Sequence, residues 1–128
     1  MIDYKEIELF WKNQSKEDLK TAEVLFFSGR YVPCLFFCHL AIEKLLKSLV
    51  VRQTNHHASY DHNLILLCEV AKIIIPENEL DLFDEINSFN IKGRYDDYKS
   101  RFYKKATKTY TEKYLNETKR IILWLRKQ

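Results

Sequence analysis

Glycine and proline are scarce: the 128 residues contain two of each. Turn-rich β architectures draw on both, so their scarcity argues against a protein of many short strands and favours long helices with few connections. The two glycines, Gly29 and Gly93, lie far apart, which excludes a glycine-rich phosphate loop of the ordinary kind. Three cysteines, Cys34, Cys38 and Cys68, are odd in number and have no framework spacing; they read as reduced thiols of a cytosolic core. His56 and His57, with His62 nearby, show no zinc-type spacing and read as solvated. No Ser-His-Asp or Cys-His arrangement stands out, so neither metal nor cofactor is expected. No apolar run approaches the roughly 20 residues that span a bilayer. The opening MIDYKEIELF carries acids where a secretory leader would place bases and then an apolar run. A soluble, cytoplasmic protein is expected, and the length suggests one domain, residues 1–128.

What is present is the composition of a globular protein, 46% hydrophobic and 30% charged. Ile7, Trp11, Ser15, Leu19, Ala22 and Phe26 recur at spacings of three and four, which predicts a long helix from Tyr4 to Phe27. Gly29 is a left-handed stop just beyond it, and Pro33 suits the first turn of a second helix, from about Val32 to Gln53. The apolar face of that second helix is too broad for a surface helix, so it should pack on two sides and form an antiparallel hairpin with the first. After a polar loop, Asp61 is the expected cap of a third helix through HNLILLCEVAKIII, ending at Pro76. A fourth helix starts at Pro76, with Leu80, Phe83, Ile86 and Phe89 inward. IKGRYDDYKSRFYKKATK breaks the periodicity and reads as an ordered loop. Thr109 and Glu112 form a capping-box pattern for a last helix. The fold expected is all-α, an antiparallel bundle of about five helices.

Charge is unevenly distributed. The net charge is +3, yet residues 99–128 carry +8, ten Lys and Arg against Glu112 and Glu117, which leaves −5 for residues 1–98. Such a tail calls for an anionic partner, or for an acidic patch on the same molecule or its twin. Lys104, Lys105 and Lys108 lie among Phe102, Tyr103 and Tyr110, a basic-aromatic strip suited to an RNA backbone or to an acidic protein.

The apolar second helix, FFCHLAIEKLLKSLVV, also holds His39, Glu43 and Lys47, four residues apart and therefore on one stripe. Two readings are open. The three residues line a groove, or Glu43–Lys47 is an ordinary surface pair beside a half-buried, hydrogen-bonded His39. Asp18, within the apolar stretch of the first helix, needs a partner if buried; Lys47 and Arg94 are the candidates.

Taken in order, Trp11 through DLKTAEVLFFSGRY, then HLAIEKLLK, then DHNLILL, then NIKGRYDDY resemble the HEPN domain, over about Tyr4 to Leu125. The resemblance implies a helical bundle, a homodimer, and a minimal nucleotidyltransferase as partner in a two-component, toxin–antitoxin-like module. Many relatives cut RNA without a metal, using an Arg followed four to six residues later by His; others bind nucleotides or act as scaffolds. Arg94 matches that arginine, but Tyr98, Lys99 and Ser100 stand where the histidine belongs. Metal-free RNA cleavage needs a group that takes a proton and one that gives it, and histidine does both near neutral pH. The incomplete motif therefore points away from an enzyme. The reading is a nucleotide- or nucleic-acid-binding protein. Arg94 holds phosphate, Tyr95 and Tyr98 stack on a base, and His39, Glu43 and Lys47 line the groove. The alternatives are a divergent endoribonuclease using Arg94 with Tyr98 or His39, and a non-catalytic dimeric adaptor gripping an acidic partner through its basic tail.

Overall fold

Asp3 begins the first helix. Its carboxylate accepts from the backbone N–H of Lys5 (3.0 Å) and Glu6 (3.3 Å), meeting two donors that lack partners within the helix. The computed structural model describes the backbone of residues 1–92 and 96–128 and the side chains of residues 1–91 and 101–128. Among these residues the α-helices are α1 (Tyr4–Phe27), α2 (Tyr31–Thr54), α3 (Leu64–Val70), α4 (Leu80–Lys92), α5 (Asp96–Lys105) and α6 (Lys108–Arg126), with a 3-10 turn at Glu77–Glu79. No strand occurs among them. The all-α bundle expected from the sequence is present, with one more α-helix than expected.

α1 ends at a tight reversal. Gly29 takes φ +74°, and the N–H groups of Gly29 and Arg30 bond to the carbonyls of Phe26 and Leu25, closing the helix end. Pro33 follows in the first turn of α2, where its missing N–H leaves no bond unmade. The resulting antiparallel hairpin is pinned by Ser15, whose hydroxyl donates to the Ala41 carbonyl at 2.6 Å.

α2 is the centre of the bundle. α1, α3, α4, α5 and α6 all pack on it, and fifteen of its 24 residues are buried. Its Leu35, Ile42, Leu45, Leu46 and Leu49 join Phe83, Ile86 and Phe89 of α4 and Ile121, Ile122 and Leu125 of α6 in the main core. A second, smaller cluster between α1, α2 and α6 contains Ala22, Phe26, Cys34, Cys38 and Leu115. Each fully buried large aliphatic or aromatic side chain contributes about 1.5–3 kcal/mol through removal from water.

Four local expectations are corrected. α3 is capped by Asn63, whose side chain accepts from Ile65 and Leu66 N–H; Asp61 instead accepts from Asn63 N–H at 2.9 Å, shaping the turn before the helix. α3 also stops at Val70 and does not continue to Ile75. Lys72 takes φ +58°, and the Ile73 N–H closes onto the Cys68 carbonyl, so that Ile73 turns into the core. The residue before Pro76 is in any case biased away from helix. IKGRYDDYKSRFYKKATK contains α5. That helix closes on two lysines, which suit the carbonyl end of a helix dipole, and Phe102 packs on Phe89 with centroids 5.7 Å apart. α6 is capped by Thr107, whose Oγ1 accepts from Tyr110 N–H at 3.2 Å, two residues before the Thr109 expected.

The cap assignment is testable in urea melts. Thr107→Ala should cost about 1 kcal/mol of stability, whereas Thr109→Ala, inside the first turn, should cost clearly less.

Candidate functional site

The stripe His39, Glu43 and Lys47 is not a surface pair. α2 is enclosed by its neighbours, so a polar stripe on it goes inside, with His39 at 0%, Glu43 at 3% and Lys47 at 5% exposure. A buried carboxylate is tolerable only when paired and hydrogen-bonded, and Glu43 is surrounded. Its Oε2 lies 3.1 Å from Lys47 Nζ, its Oε1 2.9 Å from His62 Nδ1 and 3.7 Å from His39 Nδ1. Because a carboxylate only accepts, His62 Nδ1–H is the donor in that bond. His39 Nε2–H donates in turn to the His62 carbonyl at 2.9 Å. Lys47 Nζ also sits 5.3 Å from the centroid of the Trp11 ring, a cation–π contact from α1. One carboxylate on α2 thus holds Lys47 of its own helix and His62 of the loop before α3.

The expectation of a freely solvated His62 is corrected: its side chain is 47% exposed, but its ring is oriented by Glu43. His56 and His57 are exposed, as expected. The neighbour of His62, Asn63, accepts at 3.0 Å from Asn87 Nδ2, and Asn87 Oδ1 accepts from Leu64 N–H at 2.8 Å. These bonds tie the start of α3 to α4. Between them lies a cleft of about 360 Å³ whose lining includes His62, Asn63, Asp84, Asn87, Ser88 and Asn90. Polar side chains and Ile91 share the lining, so hydrogen-bonding groups stand beside apolar surface. The chain leaves α4 at Lys92, two residues before Arg94.

Among the sequence candidates, His39, Glu43 and Lys47 are therefore brought together, as a buried support and not as an open wall. Arg94 and Tyr95 lie outside the described residues, as does the side chain of Tyr98. Asp18 is buried and pairs with Lys44, Nζ to Oδ2 2.7 Å, in place of either partner expected for it. The residues that sequence reasoning missed are His62, Asn63 and Asn87. The DHN just ahead of an apolar run is the signal for His62 and Asn63, because a polar cluster at a helix start serves both as cap and as donor; Asn87, within α4, carries no such local signal.

The basic strip divides. Lys105 pairs with Glu85 at 2.7 Å and sits over the Tyr110 ring at 5.4 Å, while Lys104 and Lys108 are exposed. Tyr110 donates to the same Glu85, and its hydroxyl pKa is raised by burial and by that bond. Further along the tail, Lys119 lies 3.6 Å from Glu23, and Arg120 binds both Glu79 and Glu117. The hydrogen bonds from Arg120 hold the Glu79 carboxyl below its ordinary range. Part of the tail's charge therefore meets acids of the same chain.

The cysteines are all free and buried. Cys34 and Cys38 hydrogen-bond one another, which lowers the pKa of the first and raises that of the second. Burial pushes the Cys68 thiol up to about 12, far from a thiolate at neutral pH. Among the described residues no group of three or more His, Cys, Asp or Glu is placed to hold a metal. No helix among them is long and apolar enough to cross a membrane.

A family model, the HEPN domain, matches residues 9–128. The crystal structure of TT1696 from Thermus thermophilus shares the fold, with a TM-score of 0.78 at 19% sequence identity, over 94% of this chain and 96% of that one. Comparison with curated proteins gives no match.

The support role of Glu43 predicts a non-additive mutant series. Glu43→Leu alone leaves Lys47 buried without its counter-charge and should cost about 3–5 kcal/mol. Adding Lys47→Met should recover a large part of that loss in urea denaturation, although one residue more has been changed.

Proposed function

This chain belongs to the HEPN family, and on that footing we propose that residues 1–128 form one unit that binds a nucleotide or nucleic acid in the cleft between α3 and α4. The observation that carries the proposal is the Glu43–His62 bond at the cleft's edge. A buried carboxylate fixes the orientation of a half-exposed imidazole beside a row of asparagine and serine groups. Carboxamides and an imidazole match the donors and acceptors of base and sugar edges. Arg94, which follows α4, is assigned to the phosphate, with Tyr95 and Tyr98 beside the base. His39, Glu43 and Lys47 act from behind by holding His62.

The same reading makes the protein a cytoplasmic homodimer and the partner of a minimal nucleotidyltransferase in a two-component module. Lys104 and Lys108, exposed on the basic strip, supply charge for an RNA backbone or for that partner.

One observation favours a second reading, a metal-independent endoribonuclease. No histidine stands four to six residues after Arg94 in the sequence, and His62 is the histidine that Glu43 orients at the cleft. With Nδ1–H bound to a carboxylate, its Nε2 is the nitrogen free to take the 2′-hydroxyl proton as the 2′-oxygen attacks phosphorus; the P–O5′ bond then breaks, the 5′-oxygen leaves with a proton from water, and Arg94 would stabilise the charge on the phosphoryl oxygens.

Two measurements separate the readings. Arg94→Ala should weaken mononucleotide binding in calorimetry by about tenfold or more, the worth of a charge-assisted hydrogen bond, with little change in melting temperature; unchanged affinity would remove Arg94 from the site. Labelled RNA incubated with the protein in chelator should be cut, and His62→Ala should abolish the cutting, if the second reading holds. Intact RNA leaves the binding reading alone.

A further inference from the structure

A second cleft, of about 210 Å³, opens between α1, α2 and the end of α6. Four cations converge on it from three helices: Lys12 and Lys16 of α1, Arg52 of α2 and Arg126 of α6. Its floor is apolar and buried, formed by Leu45 and Leu49, and no acidic side chain among the described residues lines it. Three of the four cations come from the part of the chain that carries −5 overall, so the cluster does not follow from the basic tail.

Like charges gathered over a low-dielectric wall repel one another and focus a positive field into the cleft. Several cations of this chain meet acids, as in Lys44–Asp18, Lys105–Glu85 and Lys119–Glu23. Here the compensation is incomplete. Lys12 has Glu8 at 2.9 Å, and Arg52 donates to the Gln128 carbonyl at 2.9 Å, where it also suits the carbonyl end of its helix. Lys16 and Arg126 have no ion-pair partner among the described residues. The shape is informative too. The four groups line one pocket of limited volume, and arginine forks match phosphate oxygens in pairs.

We propose that this cleft is an anion site for a short phosphate chain, the diphosphate or triphosphate group of a small molecule. Lys16 and Arg126 supply the uncompensated charge, Arg52 a planar donor, and Lys12 a further cation. Its lining shares no residue with that of the α3–α4 cleft, so the two sites stand apart. A nucleotide and a free polyphosphate present the same chemistry here.

The test is calorimetric titration of the full chain with sodium tripolyphosphate, ATP, adenosine and sulfate, in parallel with the double variant Lys16→Glu/Arg126→Glu. Both residues are exposed, and an unchanged thermal melt confirms that the variant folds. The expected result is saturable tripolyphosphate binding that falls at least about tenfold in the variant and weakens with added salt, with no binding of adenosine that the variant alters. ATP binding that falls in the variant as far as tripolyphosphate binding does assigns the site to a nucleotide; ATP binding that the variant leaves unchanged assigns it to a free polyphosphate. Three results would overturn the proposal. One is a tripolyphosphate isotherm identical in the variant, another is sulfate and tripolyphosphate acting equally and without saturation. The third is a variant that loses single-stranded RNA while keeping tripolyphosphate.

Discussion

A single carboxylate inside the bundle sets the terms for much of the rest. Glu43 sits on the helix that every other helix touches, at a position too enclosed to be solvated. Left alone there, an ionised carboxylate would cost several kcal/mol. It persists because Lys47 and His62 bind it, with His39 close by, and each of these is constrained in return. Lys47 is held against Trp11, which joins α1. His62 is held at the threshold of α3, with its carbonyl fixed by His39. Asn63, next in the chain, then caps α3 and meets Asn87 of α4. The polar cleft is thus a consequence of satisfying one buried charge: the groups that neutralise it also place the cleft's imidazole and its first asparagine.

The hairpin of α1 and α2 was legible in the sequence because its signals are local. Apolar spacing marks both helices, Gly29 has the backbone freedom for the reversal, and Pro33 suits a first turn. The caps of α3 and α6 were displaced by two residues each, since Asp61 and Asn63, or Thr107 and Thr109, are equally good acceptors and only the path of the backbone chooses between them. α5 was missed for a different reason. Its ten residues are rich in charge and tyrosine, and the burial of Phe102 against Phe89, a contact with another helix, gives it an inward face that no local pattern announces.

The site was legible in part. A spacing of four places His39, Glu43 and Lys47 on one stripe whether the stripe is wet or dry, and the helix's own sequence does not settle which. Burial is decided by the five helices around α2. His62 escaped because its partner lies 19 residues away, a separation at which no periodicity operates. The charge asymmetry was visible in the totals, but its resolution was not. Glu23, Glu79 and Glu85 meet the tail from other helices, while Lys12, Lys16, Arg52 and Arg126, scattered in sequence, gather around one cleft.

The central claim is that the cleft between α3 and α4, fixed by Glu43 through His62, receives the nucleotide. The direct measurement is an NMR titration of the folded protein with a mononucleotide, following the His62 imidazole and the side-chain amides of Asn63 and Asn87. The account predicts that these resonances shift together and saturably, with one dissociation constant. Saturable binding that leaves all three unmoved would contradict it.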